Sequence, residues 1–232
     1  MTFKDPKCFL QRLSLENCHL TEACCKALAS ALVVNQQLMD LRLAKNNLRD
    51  GGVKLLCEGL GYPECKLETL VSGQCNITSC GCKHLSKLLQ EDSSLTNLDL
   101  GLNLITTGLW YLGEALKNSI CKLKCLGLWC CSITPFSCQD LTSALISNQK
   151  LETLDLSQNN LGNSRVTVLL EALNQKKGPL KTLRLRPYKY NLKIQKLLEE
   201  IKETNPKLTI ECNIVRTTRP SSSVDFSICR ES

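Results

Sequence analysis

Eight leucines, at positions 10, 38, 67, 95, 123, 151, 180 and 208, follow one another at steps of 28 or 29 residues. Each opens a similar stretch, written most clearly as LETLDLSQNNL over 151–161. The pattern L-x-x-L-x-L-x-x-N-x-L joins a strand-like alternation to a tight bend that needs a buried amide. That combination is one turn of a leucine-rich solenoid. The chain reads as about seven such repeats, the seventh degenerate (LKTLRLRPYKY), and a stub at Leu208 that closes the array.

The repeat predicts its own geometry. Leu154 and Leu156 point to one face of a short strand while Thr153, Asp155 and Ser157 point to the other, because successive strand side chains alternate. Asn159, with Asn46 and Asn103 at the same station, supplies an amide for the backbone groups that the bend leaves without ladder partners. Thr21, Thr78, Thr106 and Thr134 stand where a hydroxyl can cap the next helix. Leu28 and Leu32, or Leu85 and Leu89, then recur at helical spacing. Strands need about 4.8 Å along the stack and helices roughly 10 Å, so the array curves into an α/β horseshoe with parallel strands on the concave face and helices on the convex face. A repeat buries its apolar side only against its neighbours, so residues 1–212 are expected to form one domain.

Composition agrees. Aromatics are 4% of the chain, and leucines at fixed stations replace them in the core. No apolar run of 18 residues and no signal peptide is visible, since MTFKDPKCFLQR carries charges where an apolar stretch would lie. The expected location is the cytoplasm, with no membrane attachment. Residues 213–232 lose all periodicity and gain serine and proline, which predicts a disordered tail. Its CRES ending lacks the aliphatic residues of a prenylation signal.

Sixteen cysteines invite a metal or disulfide reading. Nine of them keep a two-repeat period instead: Cys18, Cys75 and Cys131 hold the asparagine station in alternate repeats, Cys25, Cys82 and Cys138 follow by seven residues, and Cys8, Cys65 and Cys121 precede a first leucine by two. Small buried packing residues locked to the solenoid behave this way. Paired C-x-x-C zinc spacing is absent, and the register gives little reason for cross-links; unpaired thiols suit a reducing cytosol.

Repeats of 28–29 residues that alternate cysteine and asparagine resemble the ribonuclease-inhibitor class of leucine-rich repeats. The stretches GVKLLCEGLGYPECKLETL (52–70), HLTEACCKALASAL (19–32) and KLLEEIKETNPKLTIECN (196–213) are similar to the carboxy-terminal repeats of pyrin-containing NOD-like receptors. The resemblance covers about residues 6–213 and implies a fragment or short isoform of such a receptor. It further implies a protein-interaction module that senses or regulates innate-immune, inflammasome and NF-kappa-B signalling, or that joins a maternal oocyte and embryo complex. The pyrin and nucleotide-binding domains expected in that family are missing, and no G-x-x-x-x-G-K-[ST] occurs, so no ATP site belongs to this chain. The first repeat has no polar cap, which makes self-association through that end an expectation. The alternative is a stand-alone ribonuclease-inhibitor-like binder; it would need an acidic inner face to hold cationic nucleases.

Catalysis is not expected. His19 and His84, the only histidines, adjoin no triad-like arrangement, and Glu199-Glu200 reads as a solvated helix face. No metal, cofactor or catalytic residue is assigned. Binding is expected on the exposed columns of the concave strands, whose candidates are Trp129, Leu102, Asp99, Asp155, Arg184 and Arg186. Trp129 stands where the equivalents are Gly101 and Ser157. It is either an apolar anchor beside Leu102 or a ring folded over Gly101 or Gly127 to cover backbone. Trp110 falls in a helix slot held by Val53 and Val166 in sister repeats and is expected in the core. Residues 176–207 contain ten Lys and Arg against three acids, so Arg184 and Arg186 offer a basic end to an acidic partner. Nucleic acid is disfavoured, because only Tyr188 and Tyr190 interleave as stacking residues.

Overall fold

The computed structural model describes residues 8–186 and 191–212. The expectations for residues 213–232, for Tyr188 and Tyr190, and for the first seven residues therefore lie outside the described residues. Eight short strands alternate with seven helices: β1 (Arg12–Ser14), α1 (Glu22–Val34), β2 (Asp40–Arg42), α2 (Arg49–Leu60), β3 (Thr69–Val71), α3 (Ser79–Leu89), β4 (Asn97–Asp99), α4 (Leu109–Lys117), β5 (Cys125–Gly127), α5 (Gln139–Ser147), β6 (Thr153–Asp155), α6 (Asn163–Gln175), β7 (Thr182–Leu185), α7 (Leu192–Thr204) and β8 (Thr209–Cys212). The strands form one parallel sheet in chain order. Their register has no stagger: Thr69, Asn97, Cys125, Thr153, Thr182 and Thr209 are successive partners. The stub at Leu208 thus contributes a full edge strand.

The leucine stations make a continuous spine. Leu38, Leu67, Leu95, Leu123 and Leu151, with Leu41, Leu70, Leu98, Leu126, Leu154 and Leu183, are no more than 2% exposed. Each such side chain gains about 1.5–3 kcal/mol by leaving water. The first repeat sits at the sheet edge, where Leu10 is 37% and Phe9 82% exposed.

The asparagine station works across repeats. Asn103 accepts from the backbone N–H groups of Cys75 (2.9 Å) and Ile77 (3.0 Å) in the preceding repeat, and donates to the carbonyls of Ser72 (2.9 Å) and Leu100 (2.8 Å). Asn46 and Asn159 do the same for the bends at Cys18 and Cys131. The cysteines answer in the other direction: the Cys75 thiol donates to Leu43 O (3.1 Å) and the Cys131 thiol to Leu100 O (3.2 Å).

Two expectations change. The threonine caps hold only at Thr78, which accepts from Cys80 N. Thr21 makes no capping bond, Thr106 enters a 3-10 turn (Thr106–Gly108), and Thr134 engages Ser137. Asp50 reinforces that one cap from the preceding repeat, accepting from Thr78 N (2.8 Å), Gly81 N (2.9 Å) and the Thr78 hydroxyl (2.6 Å). Trp110 is not core; it is 47% exposed and lies edge-on to Tyr111 with ring centroids 5.0 Å apart. Its slot elsewhere holds Cys82, Cys138 and Val166, all buried, and an indole overfills a site cut for such residues. A 3-10 turn leads into the helix and its buried register is advanced by one residue, so Leu109, Leu112, Ala115 and Leu116 stand 27 rather than 28 residues after Cys82, Leu85, Leu88 and Leu89. Among the described residues, fourteen cysteines are free thiols.

Burial governs the thiols. It pushes Cys25 and Cys138 up to about 11 and Cys57, Cys75 and Cys82 up to about 12. Cys131 is raised by the same cause. These groups are protonated at neutral pH and cannot act as thiolate nucleophiles or ligands.

Candidate functional site

The concave face is set by two strand columns and the residue that follows each strand. The central column runs Ser14, Arg42, Val71, Asp99, Gly127, Asp155, Arg184 and Glu211, in direct register. Beyond it the ladder continues past the strands: Lys45 N donates to Gly73 O, Gln74 N to Gly101 O, Leu102 N to Trp129 O and Cys130 N to Ser157 O, at 2.8–2.9 Å. Small residues therefore stack closely along this line, and Gly73 and Gly101 are both buried.

The Trp129 indole lies over Gly101, so close that any side chain at Gly101 would overlap it. The ring is half-buried, not flush with the surface. Geometry thus combines the two sequence alternatives: the ring covers the Gly101 backbone and still presents part of itself to solvent. Leu102 follows Gly101 and is also half-buried. Its φ is 59°, a left-handed conformation shared by Asn17, Lys45, Gln74, Cys130 and Gln158 at the same station. Leu102 is the one aliphatic residue among these six, placed where a polar side chain would serve the bend as well.

The two acids hold the strand exits. Asp99 accepts from Gly101 N (2.9 Å), fixing the glycine beneath the indole. Asp155 accepts from Ser157 N (2.9 Å) and from the Ser157 hydroxyl (2.6 Å), and is only 4% exposed. Its second oxygen faces Arg184 at 3.8 Å. Arg184 also donates to Glu211 at 2.8 Å and is 14% exposed at its side chain. Arg186 is exposed. The structure therefore brings Trp129, Leu102 and Asp99 together over repeats 4 and 5 and separates them from the Arg184–Arg186 end, where acids already neutralise Arg184. Sequence reading missed the Glu211 partner. The alignment of Arg184 with Glu211 one repeat later was the available signal, because the strands pair without offset. Elsewhere Arg42 pairs with Asp40 (3.2 Å) and Lys45 with Glu16 (2.8 Å), so the first half of the face is also charge-balanced.

Among the described residues no three His, Cys, Asp or Glu side chains gather as a metal site. No described helix is long and apolar enough to cross a membrane.

The fold and its asparagine ladder define a leucine-rich-repeat protein of the ribonuclease-inhibitor type. Its homologues are the NACHT, LRR and PYD domains-containing proteins, the pyrin-containing branch of the NOD-like receptors, and this chain corresponds to a repeat segment of that family. Human protein 2 of the group is 59% identical over 230 residues, 98% of this chain and 22% of its own length. Human protein 7 is 46% identical over 94% of this chain and 16% of its own, and mouse protein 12 is 40% identical over 90% and 20%. The chain thus spans about a fifth of the relatives it matches. No family model matches it. Among solved structures, the actin-binding site 2 of leiomodin-1 is similar in fold, with a TM-score of 0.53 at 18% identity over 63% of this chain and 84% of that one.

Proposed function

We propose that this chain is a non-enzymatic protein-interaction module of a NOD-like receptor, acting in the cytoplasm to sense or regulate innate-immune signalling. Its output would reach inflammasome and NF-kappa-B components, or a maternal oocyte and embryo complex. Homology to the NACHT, LRR and PYD domains-containing proteins supports the receptor context. The observation that carries the binding mode is the half-exposed Trp129 indole seated on Gly101 beside Leu102. A large ring preorganised on backbone loses little freedom when a partner covers it, which is the composition of an interface anchor. Asp99 and Asp155 position this surface through the strand exits, and Arg186, with Arg184 behind it, offers a second contact for an acidic group. The inner face is charge-balanced and not acidic, with Arg42 and Arg184 occupying its acids, which counts against a cationic nuclease as partner, so the ribonuclease-inhibitor-like alternative is the weaker reading. Self-association through the first repeat belongs to the same proposal, since Phe9 and Leu10 leave an apolar edge for a second copy.

Pull-down with the repeats tests the site. Trp129→Ala is expected to weaken capture by about thirtyfold or more, the size of an interface hot spot. Loss with Arg184→Glu/Arg186→Glu instead would move the contact to the basic end. Partners retained by both variants would remove both sites.

A further inference from the structure

Because all eight strands run parallel and in direct register, every segment that leads from a helix into a strand lies on the same side of the solenoid. Strand starts pair without offset, so these segments form one continuous rim. Charge on that rim changes sign halfway. Segments 35–39, 61–68 and 90–96 hold one lysine, Lys66, against Glu64, Glu68, Glu91 and Asp92, which nets −3. Segments 118–124, 148–152, 176–181 and 205–208 hold seven lysines against the single Glu152, which nets +6. All seven are exposed.

Most of that charge is uncompensated. Lys122 pairs with Asp92 and Lys181 with Glu152. Lys150 donates to Ser119 O at 2.8 Å, which ties its ammonium across two neighbouring segments without neutralising it. Lys124, Lys176, Lys177 and Lys207 have no acidic partner within 4.0 Å among the described residues. Five free positive charges therefore stand along one continuous edge. Ile120, in the segment that carries Lys122 and Lys124, is 47% exposed.

We propose that this rim, residues 118–124, 148–152, 176–181 and 205–208, docks on an anionic phospholipid surface. A rim suits a bilayer, because charges gathered on one side of the solenoid can approach it together. The residue type agrees: lysine is a hydrated point charge that needs no fixed geometry, whereas paired recognition of phosphates favours arginine. These four segments contain no arginine and no aromatic residue, so base stacking has no platform. An exposed aliphatic residue among the lysines is what the headgroup boundary accepts. The surface is separate from Trp129, so the two proposals fail independently.

Sedimentation of the 232-residue chain with phosphatidylcholine vesicles, with and without about 30 mol% phosphatidylserine, tests this. Binding to the anionic vesicles alone is expected, and it should weaken steeply between about 0.05 and 0.3 M salt as the Debye length shortens. Each free lysine near the surface is worth about fivefold in partitioning, so Lys176→Glu/Lys177→Glu/Lys207→Glu should lose at least about a hundredfold. Circular dichroism checks that this variant is folded; Lys176→Ala/Lys177→Ala, in an exposed connection, gives a milder second reading of about twenty-five-fold. Trp129→Ala should bind vesicles like the parent. Equal binding to neutral vesicles, or full binding by the lysine variants, overturns the proposal. So does retention of an RNA or DNA duplex without sedimentation on anionic vesicles, which would assign the rim to nucleic acid.

Discussion

Repeats 1, 3 and 5 place cysteine at the bend, and repeats 2, 4 and 6 place asparagine there, over the same leucine spine. The two kinds close their bends differently. Cysteine repeats go left-handed at Asn17 and His19, at Gln74 and Asn76, and at Cys130 and Ser132. Asparagine repeats do so at Lys45 and Arg49, at Leu102 and Thr106, and at Gln158 and Gly162, with the second position two residues later. The amides of Asn46, Asn103 and Asn159 reach into the bend of the preceding cysteine repeat, while each later cysteine thiol returns one bond. The physical unit is thus a pair of repeats in which asparagine does most of the polar work and cysteine mainly fills space.

That asymmetry is tested most strongly by truncation. Asn103→Ala strips partners from four buried backbone groups, each costing about 1–3 kcal/mol when left unmade, so a loss of about 4 kcal/mol or more in urea unfolding is expected. Cys131→Ala removes one weak bond and a small volume and should cost only about 1–2 kcal/mol. Equal losses would break the distinction between the two repeat types.

Backbone strain gives the next largest effect. Gly162 has φ 69° and ψ 144°, a region open essentially to glycine alone, and a Cβ there would meet Pro135 Cγ at 3.0 Å. Gly162→Ala should lower stability by about 1–3 kcal/mol. A neutral result would mean that this bend can adopt the conformation of its counterparts at Arg49 and Thr106.

The cysteine stations add a pH signature that the asparagine stations lack. Burial raises the folded thiols from an ordinary value of 9.0 to about 11 or 12. Between those limits the folded chain holds protons that the unfolded chain has released. Stability is therefore full below about pH 9 and falls as pH rises toward 12. Urea midpoints should be level from about pH 7 to 8.5 and decline above about 9, and the slope should be shallower in Cys75→Ala. A slope unchanged by that substitution would place the alkaline loss elsewhere.

The same contrast separates what the sequence makes legible from what it does not. Strand leucines, the asparagine stations and the two-repeat cysteine period are legible because each recurs at a fixed spacing along the chain. Trp129 was legible as an odd residue in a small column, although its seat on Gly101 required the neighbouring strand. Asp50 capping α3, Glu211 neutralising Arg184, and the lysine rim were not legible residue by residue. Each joins groups about one repeat apart, or collects single charges from several repeats onto one edge.

Trp110 is the smallest and sharpest case. Counted from Leu95 it occupies a buried slot, yet the buried register of α4 is advanced by one residue and gives that slot to Leu109, 1% exposed. The strands keep their register through this shift, so the helix half of a repeat can slide while the strand half does not. Trp110→Ser should therefore change stability by no more than about 0.5 kcal/mol, as at ordinary surface positions, apart from what the Tyr111 ring contact contributes. Leu109→Ala in the same helix is expected to cost about 2–5 kcal/mol. Thermal or urea unfolding of the pair decides the register directly, since a core position for Trp110 would reverse the order of the two losses.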